Sequence, residues 1–460
     1  MRDFLEHLLV RGANRLLRAR DPRPADGPGV LLGHAVSDTG TSGPPVRLAD
    51  AVRPEHLAIL GKTGTGKSSL IRLMSRDDIR RDLGAVHIDL HGDTTPYLLG
   101  VLAAEERRRR TDLSDRIILI DPSDPEWAVG LNVLQADSDA ERFLQMAEVA
   151  QLLRQRWDLS TLGARTEELL RCALYVLSAA DLTLLELAPL LTNASFRAAC
   201  LRRATNPDIV SYFRDRYDVA SDAMQATWRE PILNKASVFT VDPHFRHILG
   251  QRRTGVSLVD ALDRQAWLIL HLPKGRLGEQ AATLGSLFLT HLKRALFARR
   301  SRTLLTVYAD ELQNLVEVTS GIDTLLAEAR KFGVAFCCAN QFLEQYPPTM
   351  RAAVLSVGTH VFFQLSAQDA ERANALIGGG KAVQQVLREL PAREAIVRRG
   401  GQGWQRFRVS TVETPTADPS DLLRRIRLHG GQSRASIESD IAQRLQSHAA
   451  DRREDLDDWA

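Results

Sequence analysis

Gly61-Lys62-Thr63-Gly64-Thr65-Gly66-Lys67-Ser68 stands between the apolar run Leu57-Ala58-Ile59-Leu60 and a helix-like stretch from Ser69 to Met74. Strand, glycine loop and helix in that order make a P-loop, in which backbone N–H groups and a helix N-terminus cradle nucleotide phosphates. Glycine at the bends lets the backbone close around an anion where a Cβ would clash. The candidate nucleotide contacts are Gly61, Thr63, Gly64, Thr65, Gly66, Lys67, Ser68 and Ser69. Lys67 is placed to reach the β- and γ-phosphates, and the Ser68 hydroxyl to ligate Mg²⁺.

At 460 residues the chain is long enough to bury a large core and to divide into two or three domains. With 44% hydrophobic and 25% charged residues, its composition is that of a soluble globular protein. Sixty Lys and Arg against 57 Asp and Glu leave a formal charge of +3, so net charge alone does not argue for nucleic acid. Cys172, Cys200, Cys337 and Cys338 show no metal-ligand spacing and read as reduced packing residues of a cytoplasmic protein. No apolar run approaches the roughly 18 residues needed to cross a bilayer, and there is no secretory signal, so no membrane span is expected.

Residues 1–20 set Phe4, Leu5, Leu8 and Leu9 among Arg2, Arg11, Arg15 and Arg18 in approximately helical register. Such an amphipathic arm suits the anionic inner face of a membrane or a partner protein; packing on its own domain is the competing reading. Residues 21–45, rich in Pro, Gly, Ser and Thr, read as linker. Two β-type runs follow the P-loop and close in acidic turns, Asp89-Leu90-His91-Gly92-Asp93 and Asp121-Pro122-Ser123-Asp124-Pro125. Loops at the carboxyl ends of parallel strands are where α/β sheets bind ligands, which draws attention to Asp89, His91 and Asp93, although turn chemistry also accounts for them. The run Arg107 to Arg110 reads as a solvated helix face or a phosphate contact.

From 137 to 250 the β signal gives way to helical periodicity, with Phe143, Met146, Val149, Leu152 and Leu153 on one stripe. An all-alpha insertion is expected there. Trp157, Arg165, Trp228, Lys235 and Arg246 within it read either as packing or as part of a nucleic-acid path. Strand character returns at 267–272, 304–309, 334–339 and 359–365, and residues 394–411 alternate like an antiparallel edge hairpin. The last stretch, 416–460, is charged and ends in Glu454-Asp455-Leu456-Asp457-Asp458-Trp459, a solvated tail or a partner-docking peptide.

ATP hydrolysis needs a carboxylate for Mg²⁺, a base that polarises water, and positive charge on the γ-phosphate in the transition state. The run Leu304 to Ala309 ends in Asp310-Glu311, which supplies the first two: Asp310 for the metal shell, Glu311 for the water. Gln341 ends the next strand, where a polar sensor between nucleotide and substrate belongs. Arg330, just before that strand, reads either as an arginine finger for a neighbouring subunit or as one half of a surface salt bridge with Glu328 or Glu311.

The P-loop, the Asp89-to-Asp93 turn, Asp310-Glu311, the run Glu328-Ala329-Arg330-Lys331-Phe332-Gly333 and Asn340-Gln341, in this order, resemble the HerA and FtsK superfamily of DNA-pumping ATPases. More narrowly they resemble the conjugative coupling proteins of type IV secretion, the TraD and TraG group, and the HerA-like domain proteins, over about residues 30–415. The resemblance implies an α/β fold, a RecA-like P-loop ATPase core with a mainly parallel sheet interrupted by an all-alpha insertion subdomain. It implies assembly as a homo-hexamer that moves DNA with ATP and Mg²⁺ as cofactors. Position by position it makes Lys67 and Ser68 the Walker A residues, Asp310 and Glu311 the Walker B pair, Gln341 the sensor and Arg330 the arginine acting across the subunit interface. The transmembrane hairpin of a membrane-anchored coupling protein has no counterpart in the sequence.

The expected organisation is an arm and linker (1–45), an ATPase domain (46–136 and 251–415), the helical insertion (137–250) and the charged tail (416–460). Three functions compete. The first is an ATP-driven DNA translocase of coupling-protein type, the second a HerA-like motor that partners a nuclease through the tail. The third is an ATP-dependent assembly switch that moves no DNA, against which an intact Glu311 argues.

Overall fold

A computed structural model describes residues 28–36, 42–136, 138–156, 163–316, 322–400 and 403–457. The amphipathic arm, Trp157 and residues 458–460 lie outside them. The described residues form two compact units, one within residues 28–118, 258–271 and 293–423 and the other within residues 119–257, 272–292 and 424–457.

Thirteen strands occur among the described residues: β1 (Gly29–Val36), β2 (Ser42–Ala49), β3 (Leu57–Leu60), β4 (Ala85–Asp89), β5 (Ile117–Ile120), β6 (Trp127–Ala128), β7 (Trp267–His271), β8 (Leu305–Asp310), β9 (Val334–Asn340), β10 (Thr359–Phe362), β11 (Glu394–Arg399), β12 (Gly403–Arg408) and β13 (Gln432–Ser433). Eleven of them make one sheet in the order β2-β1-β12-β11-β10-β3-β9-β8-β4-β7-β5. From β10 to β7 neighbouring strands run parallel, whereas β10, β11, β12, β1 and β2 pair antiparallel in succession. The parallel strands are buried on both faces, which is why β3 and β9 read as unbroken apolar runs and not as alternation. Every parallel strand therefore delivers its following loop to the same edge of the sheet.

Two expectations are corrected at the antiparallel end. Residues 29–36 and 42–45, read as linker, lie in β1 and β2, with Val30, Leu32, Val46 and Leu48 buried. Pro and Gly there suggested a loop, but β2 is an outermost strand, where Pro44 and Pro45 cost no ladder bond to a further neighbour. The hairpin β11–β12 is antiparallel as read, yet it is not an edge, because β1 pairs with β12.

Helix α1 (Lys67–Arg80) follows the P-loop and helix α2 (Thr94–Arg109) follows β4. A buried polar network ties α1 to the sheet. The Arg53 guanidinium donates to Asp78 Oδ1 and Oδ2 at 2.7 and 2.6 Å and to Thr306 Oγ1 at 2.7 Å, and the Tyr308 hydroxyl donates to Asp78 Oδ2 at 2.6 Å. Asp78 and the neighbouring Coulombic field hold Arg53 more firmly charged than usual despite its burial. The arginine cluster at the end of α2 is a structural one: Arg108 and Arg109 pair with Glu105, Arg109 also with Asp82, and Arg107 donates to the Asp418 carbonyl.

Among the described residues the second unit is helical apart from the end of β5 and the β6–β13 pair. Its conspicuous residues hold one another: Arg165 lies 5.5 Å over the Trp228 ring and Arg246 pairs with Glu438 at 3.0 Å. The charged stretch after 416 differs from a solvated tail. It forms helices Ser420–Gly430 and Arg434–Asp457, with Ile437 and Ile441 buried and Arg444 bonded to the buried Glu186 at 2.9 Å. Among the described residues no helix is long and apolar enough to cross a membrane.

Candidate nucleotide site

The register aligns the chemistry. Leu60 of β3 lies opposite Phe362 of β10 and Asn340 of β9, Asp310 of β8 opposite Ala339, and Ala309 opposite Ile88 of β4. The P-loop, Asp310-Glu311, Gln341 and the turn after Asp89 thus open at one edge, the carboxyl edge where parallel sheets bind ligands.

The P-loop is held by its neighbours. Gly61 N donates to the Asn340 carbonyl and Lys62 N to the Gln364 carbonyl. A Cβ on Gly61 would come within 2.5 Å of Phe363 Cβ, and Gly64 and Gly66 have φ of +76° and +120°, so packing demands the first glycine and backbone conformation the other two. Thr65 closes the turn through its hydroxyl to the Lys62 carbonyl at 2.7 Å, Thr63 is exposed, and Ser69 lies half-buried in the first turn of α1. That first turn carries no acidic residue and no side-chain cap, which leaves the field of its N-terminus for a ligand's anion. Lys67 is buried, and its ammonium donates to the Gly61 and Lys62 carbonyls at 2.7 and 3.0 Å, inside the loop. Burial pulls its pKa down, while Asp310 and Glu311 oppose the shift.

Ser68 Oγ donates to Asp310 Oδ2 at 2.7 Å. Burial raises the Asp310 carboxyl above its ordinary range, against the pull of Ser68, His91 and Lys67. A hydroxyl and a carboxylate in contact at the mouth of a phosphate loop are hard oxygen donors that fit Mg²⁺, which takes few protein ligands beside phosphate and water. A divalent cation would also offset the buried carboxylate's charge.

Glu311 leaves β8 with φ +59° while its N–H still donates to the Ala339 carbonyl at 2.9 Å. Three donors hold its carboxylate. His91 Nε2 reaches Oε1 at 3.1 Å, Gln341 Nε2 reaches Oε1 at 2.9 Å, and Asn314 Nδ2 reaches Oε2 at 3.0 Å. The His91 bond, ahead of the others, takes Glu311 down to about 2, and the same contact lifts His91 to about 8. A carboxylate at the carboxyl edge, ionised and aimed by three donors, is equipped to take a proton from water.

The sequence candidates therefore separate. Lys67, Ser68, Asp310, Glu311 and Gln341 come together. Arg330 does not join them: it precedes β9, at the opposite, amino edge of the sheet, and its exposed guanidinium pairs with Glu55 at 3.2 Å, not with Glu328 or Glu311. Glu55, His56 and Gly358, which precede β3 and β10, line a cavity of about 410 Å³ with it. Of the suspected acidic turn, Asp89 is a scaffold: its carboxylate accepts from the N–H groups of Gly92, Thr94 and Thr95 and from the Thr95 hydroxyl, and these bonds with His271 hold it well below the usual carboxylate range. Asp93 offers its carbonyl to Arg72 at 2.9 Å.

Sequence reasoning missed two parts of the site. Asn314 stands three residues after Glu311 in an unremarkable helical turn. Arg393, with φ +65°, donates its backbone N–H to the Thr65 carbonyl at 2.7 Å, and its Cα lies 3.2 Å from where a Gly66 Cβ would be. Pro391-Ala392-Arg393 carries only a turn signal, and no local pattern points from it to a loop more than 300 residues earlier.

Residues 31–195 match the family model of the helicase HerA central domain. Among solved structures, the conjugative coupling protein TrwB with the non-hydrolysable analogue ADPNP is 17% identical, covers 89% of this chain and 95% of its own, and has a TM-score of 0.60. TrwB in complex with ADP and Mg²⁺ is similar at 16% identity, with a TM-score of 0.59 over 89% of this chain and 95% of that one. VirB4 of Thermoanaerobacter pseudethanolicus is 16% identical and covers 84% of this chain and 97% of its own, with a TM-score of 0.58. No curated protein matches the chain. Residues 31–195 thus resemble a HerA central domain, and the chain shares over most of its length the fold of the coupling protein TrwB, with its P-loop facing Asp310-Glu311.

Proposed function

We propose that this ATPase is a ring-forming motor that binds ATP with Mg²⁺ and moves DNA, in the manner of a type IV secretion coupling protein. Lys67 holds the β- and γ-phosphates, with the loop glycines, Thr63, Thr65 and Ser69 around them. Ser68 and Asp310 would hold Mg²⁺, which would supply positive charge against the phosphates. Glu311 takes the proton of the attacking water as its oxygen bonds to the γ-phosphorus. The bond to the β–γ bridging oxygen breaks, and ADP leaves with the electron pair. Gln341, bonded to Glu311, reports the state of the γ-phosphate to the strand behind it.

The observation that carries the ring is the placement of Arg330. It is the exposed arginine of the resemblance motif, and it lies on the edge of the sheet opposite the P-loop, so the γ-phosphate it can reach is a neighbour's. A homo-hexamer is the assembly we infer, with DNA as the substrate it moves and the helical residues 137–250 as the counterpart of the all-alpha domain of coupling proteins. In this reading the ring works in the cytoplasm, and any tether at the membrane's inner face falls to the basic arm or to a partner. The match to a helicase HerA domain supports a second reading, a motor serving a nuclease. Co-purification of a nuclease that is lost when residues after 418 are removed would favour it.

The test is hydrolysis with and without DNA in the whole chain, in Lys67→Ala and in Glu311→Gln, with particle size from light scattering. The proposal expects DNA-stimulated hydrolysis and a six-subunit mass in the parent, loss of nucleotide binding in Lys67→Ala, and retained binding without turnover in Glu311→Gln. Hydrolysis indifferent to DNA, with no DNA binding at low salt, would leave the assembly switch as the account.

A further inference from the structure

We propose that His91 is a positioning residue for ATP hydrolysis: from the turn after β4 it fixes the Glu311 carboxylate in the orientation that receives the proton of the attacking water. The proposal rests on the reading of Glu311 as the residue that activates water.

The argument begins in the turn. Asp89 gathers the N–H groups of Gly92, Thr94 and Thr95, and Gly92 takes φ +85°, so Asp89-to-Asp93 is a closed, rigid turn and not a loose loop. β4 pairs with β8 in a register that sets Ile88 opposite Ala309, and the two chains leave the sheet side by side. His91, two residues past Asp89, meets Glu311, one residue past Asp310. The contact follows from the register and from the turn that Asp89 closes.

The His91 side chain is 52% exposed, so it contributes little to the core, and its Nε2 bond at 3.1 Å is to Glu311. Oε1 already accepts from Gln341 at 2.9 Å, so the two donors together saturate that oxygen. Among the described residues Oε2 accepts from Asn314 alone, at 3.0 Å, and keeps a lone pair for the water. His91 thereby selects which oxygen acts as base. A left-handed Glu311 backbone needs that restraint, because a long side chain leaving a tight turn has several open rotamers. Gln341 comes from β9 and His91 from β4, the strands on either side of β8, so the carboxylate is gripped from both sides.

The experiment measures steady-state hydrolysis over a range of ATP in the full chain and in His91→Ala, His91→Gln and Glu311→Gln, with nucleotide affinity taken separately from a fluorescent ATP analogue. The proposal expects kcat to fall about 10- to 100-fold in His91→Ala with KM and affinity changed less than about threefold, since misaimed groups lose roughly that much. His91→Gln, whose amide reaches the same oxygen, should recover most of the rate. Unchanged or raised kcat in His91→Ala while Glu311→Gln is inactive would overturn the role of His91 and leave Glu311 standing. Full activity in Glu311→Gln would instead overturn the reading beneath it. A loss in KM alone, or no rescue by His91→Gln, would reduce His91 to a binding or packing residue and refute the proposal.

Discussion

Replacing Arg53 by Met tests how β8, the strand that ends in Asp310-Glu311, is held. In the parent, Arg53 and Asp78 are both almost fully buried and joined by two bonds of 2.7 and 2.6 Å, with Thr306 and Tyr308 completing the network. Tyr308 lies two residues before Asp310 on β8, so the network reaches the carboxylate proposed to hold Mg²⁺ through the strand. Removing the guanidinium leaves the Asp78 carboxylate buried with the Tyr308 hydroxyl as its remaining strong donor. Breaking a buried pair by deleting one partner costs about 3–5 kcal/mol, because an uncompensated charge remains. The double variant Arg53→Met, Asp78→Leu removes both charges and should recover all but about 1–3 kcal/mol, the cost of leaving Thr306 and Tyr308 without partners. Urea unfolding followed by circular dichroism reads both, with the double-mutant cycle giving the coupling. A single variant that loses less than about 1 kcal/mol, or a double variant no more stable than either single one, would refute the reasoning.

Gly66→Ala should abolish nucleotide binding, since the new Cβ would sit 3.1 Å from Phe363 and 3.2 Å from Arg393 Cα at a φ of +120°; equilibrium binding of a fluorescent ATP analogue measures it. Asp89→Asn should destabilise the first unit by about 1–2 kcal/mol at pH 7, because the charge-assisted bonds to the turn are lost. The Asp89 pKa is depressed on folding, so its contribution is present above the unfolded value of about 4 and fades as the pH falls below it. The gap between thermal melts of parent and variant should therefore begin to narrow below about pH 4 and close only as the pH falls through the much lower folded value, and a gap of constant size from pH 6 down to pH 2 would contradict the assignment. His87 and His360 are buried and lowered to about 4, so the parent should lose stability as pH falls below about 6.5, where the unfolded chain begins to take up those protons.

Much of the site was legible because it is written in contiguous motifs. A P-loop fixes its own geometry through its glycines, and a strand ending in Asp-Glu or Asn-Gln announces its position when the sheet is parallel. The β runs at 85, 267, 305 and 334 were equally plain, since strands buried on both faces are apolar throughout. What the sequence hides is pairing between distant segments. β1 and β2 contain the Pro and Gly of a linker, and only the pairing of β1 with β12 on one side and β2 on the other makes them sheet. Arg393 reaches the P-loop through a backbone N–H, which every residue type carries, so no side-chain pattern could mark it. His91 stood out as a turn residue, but its partner depends on the β4–β8 register, which sequence order does not reveal. The charged residues after 416 suggested a free tail because their apolar positions, Ile437 and Ile441, are few and widely set among charges.

The proposed ring is tested most directly by mixing Lys67→Ala, which keeps Arg330 but should lose its own site, with Arg330→Ala, which keeps the P-loop but lacks the proposed finger. Each variant alone should hydrolyse ATP poorly. If Arg330 completes a neighbour's site, an equal mixture should form rings in which about a quarter of the junctions join an intact site to an intact finger, with hydrolysis rising well above the sum of the two. A mixture no more active than that sum, with Arg330→Ala alone as fast as the parent, would contradict a site shared between subunits.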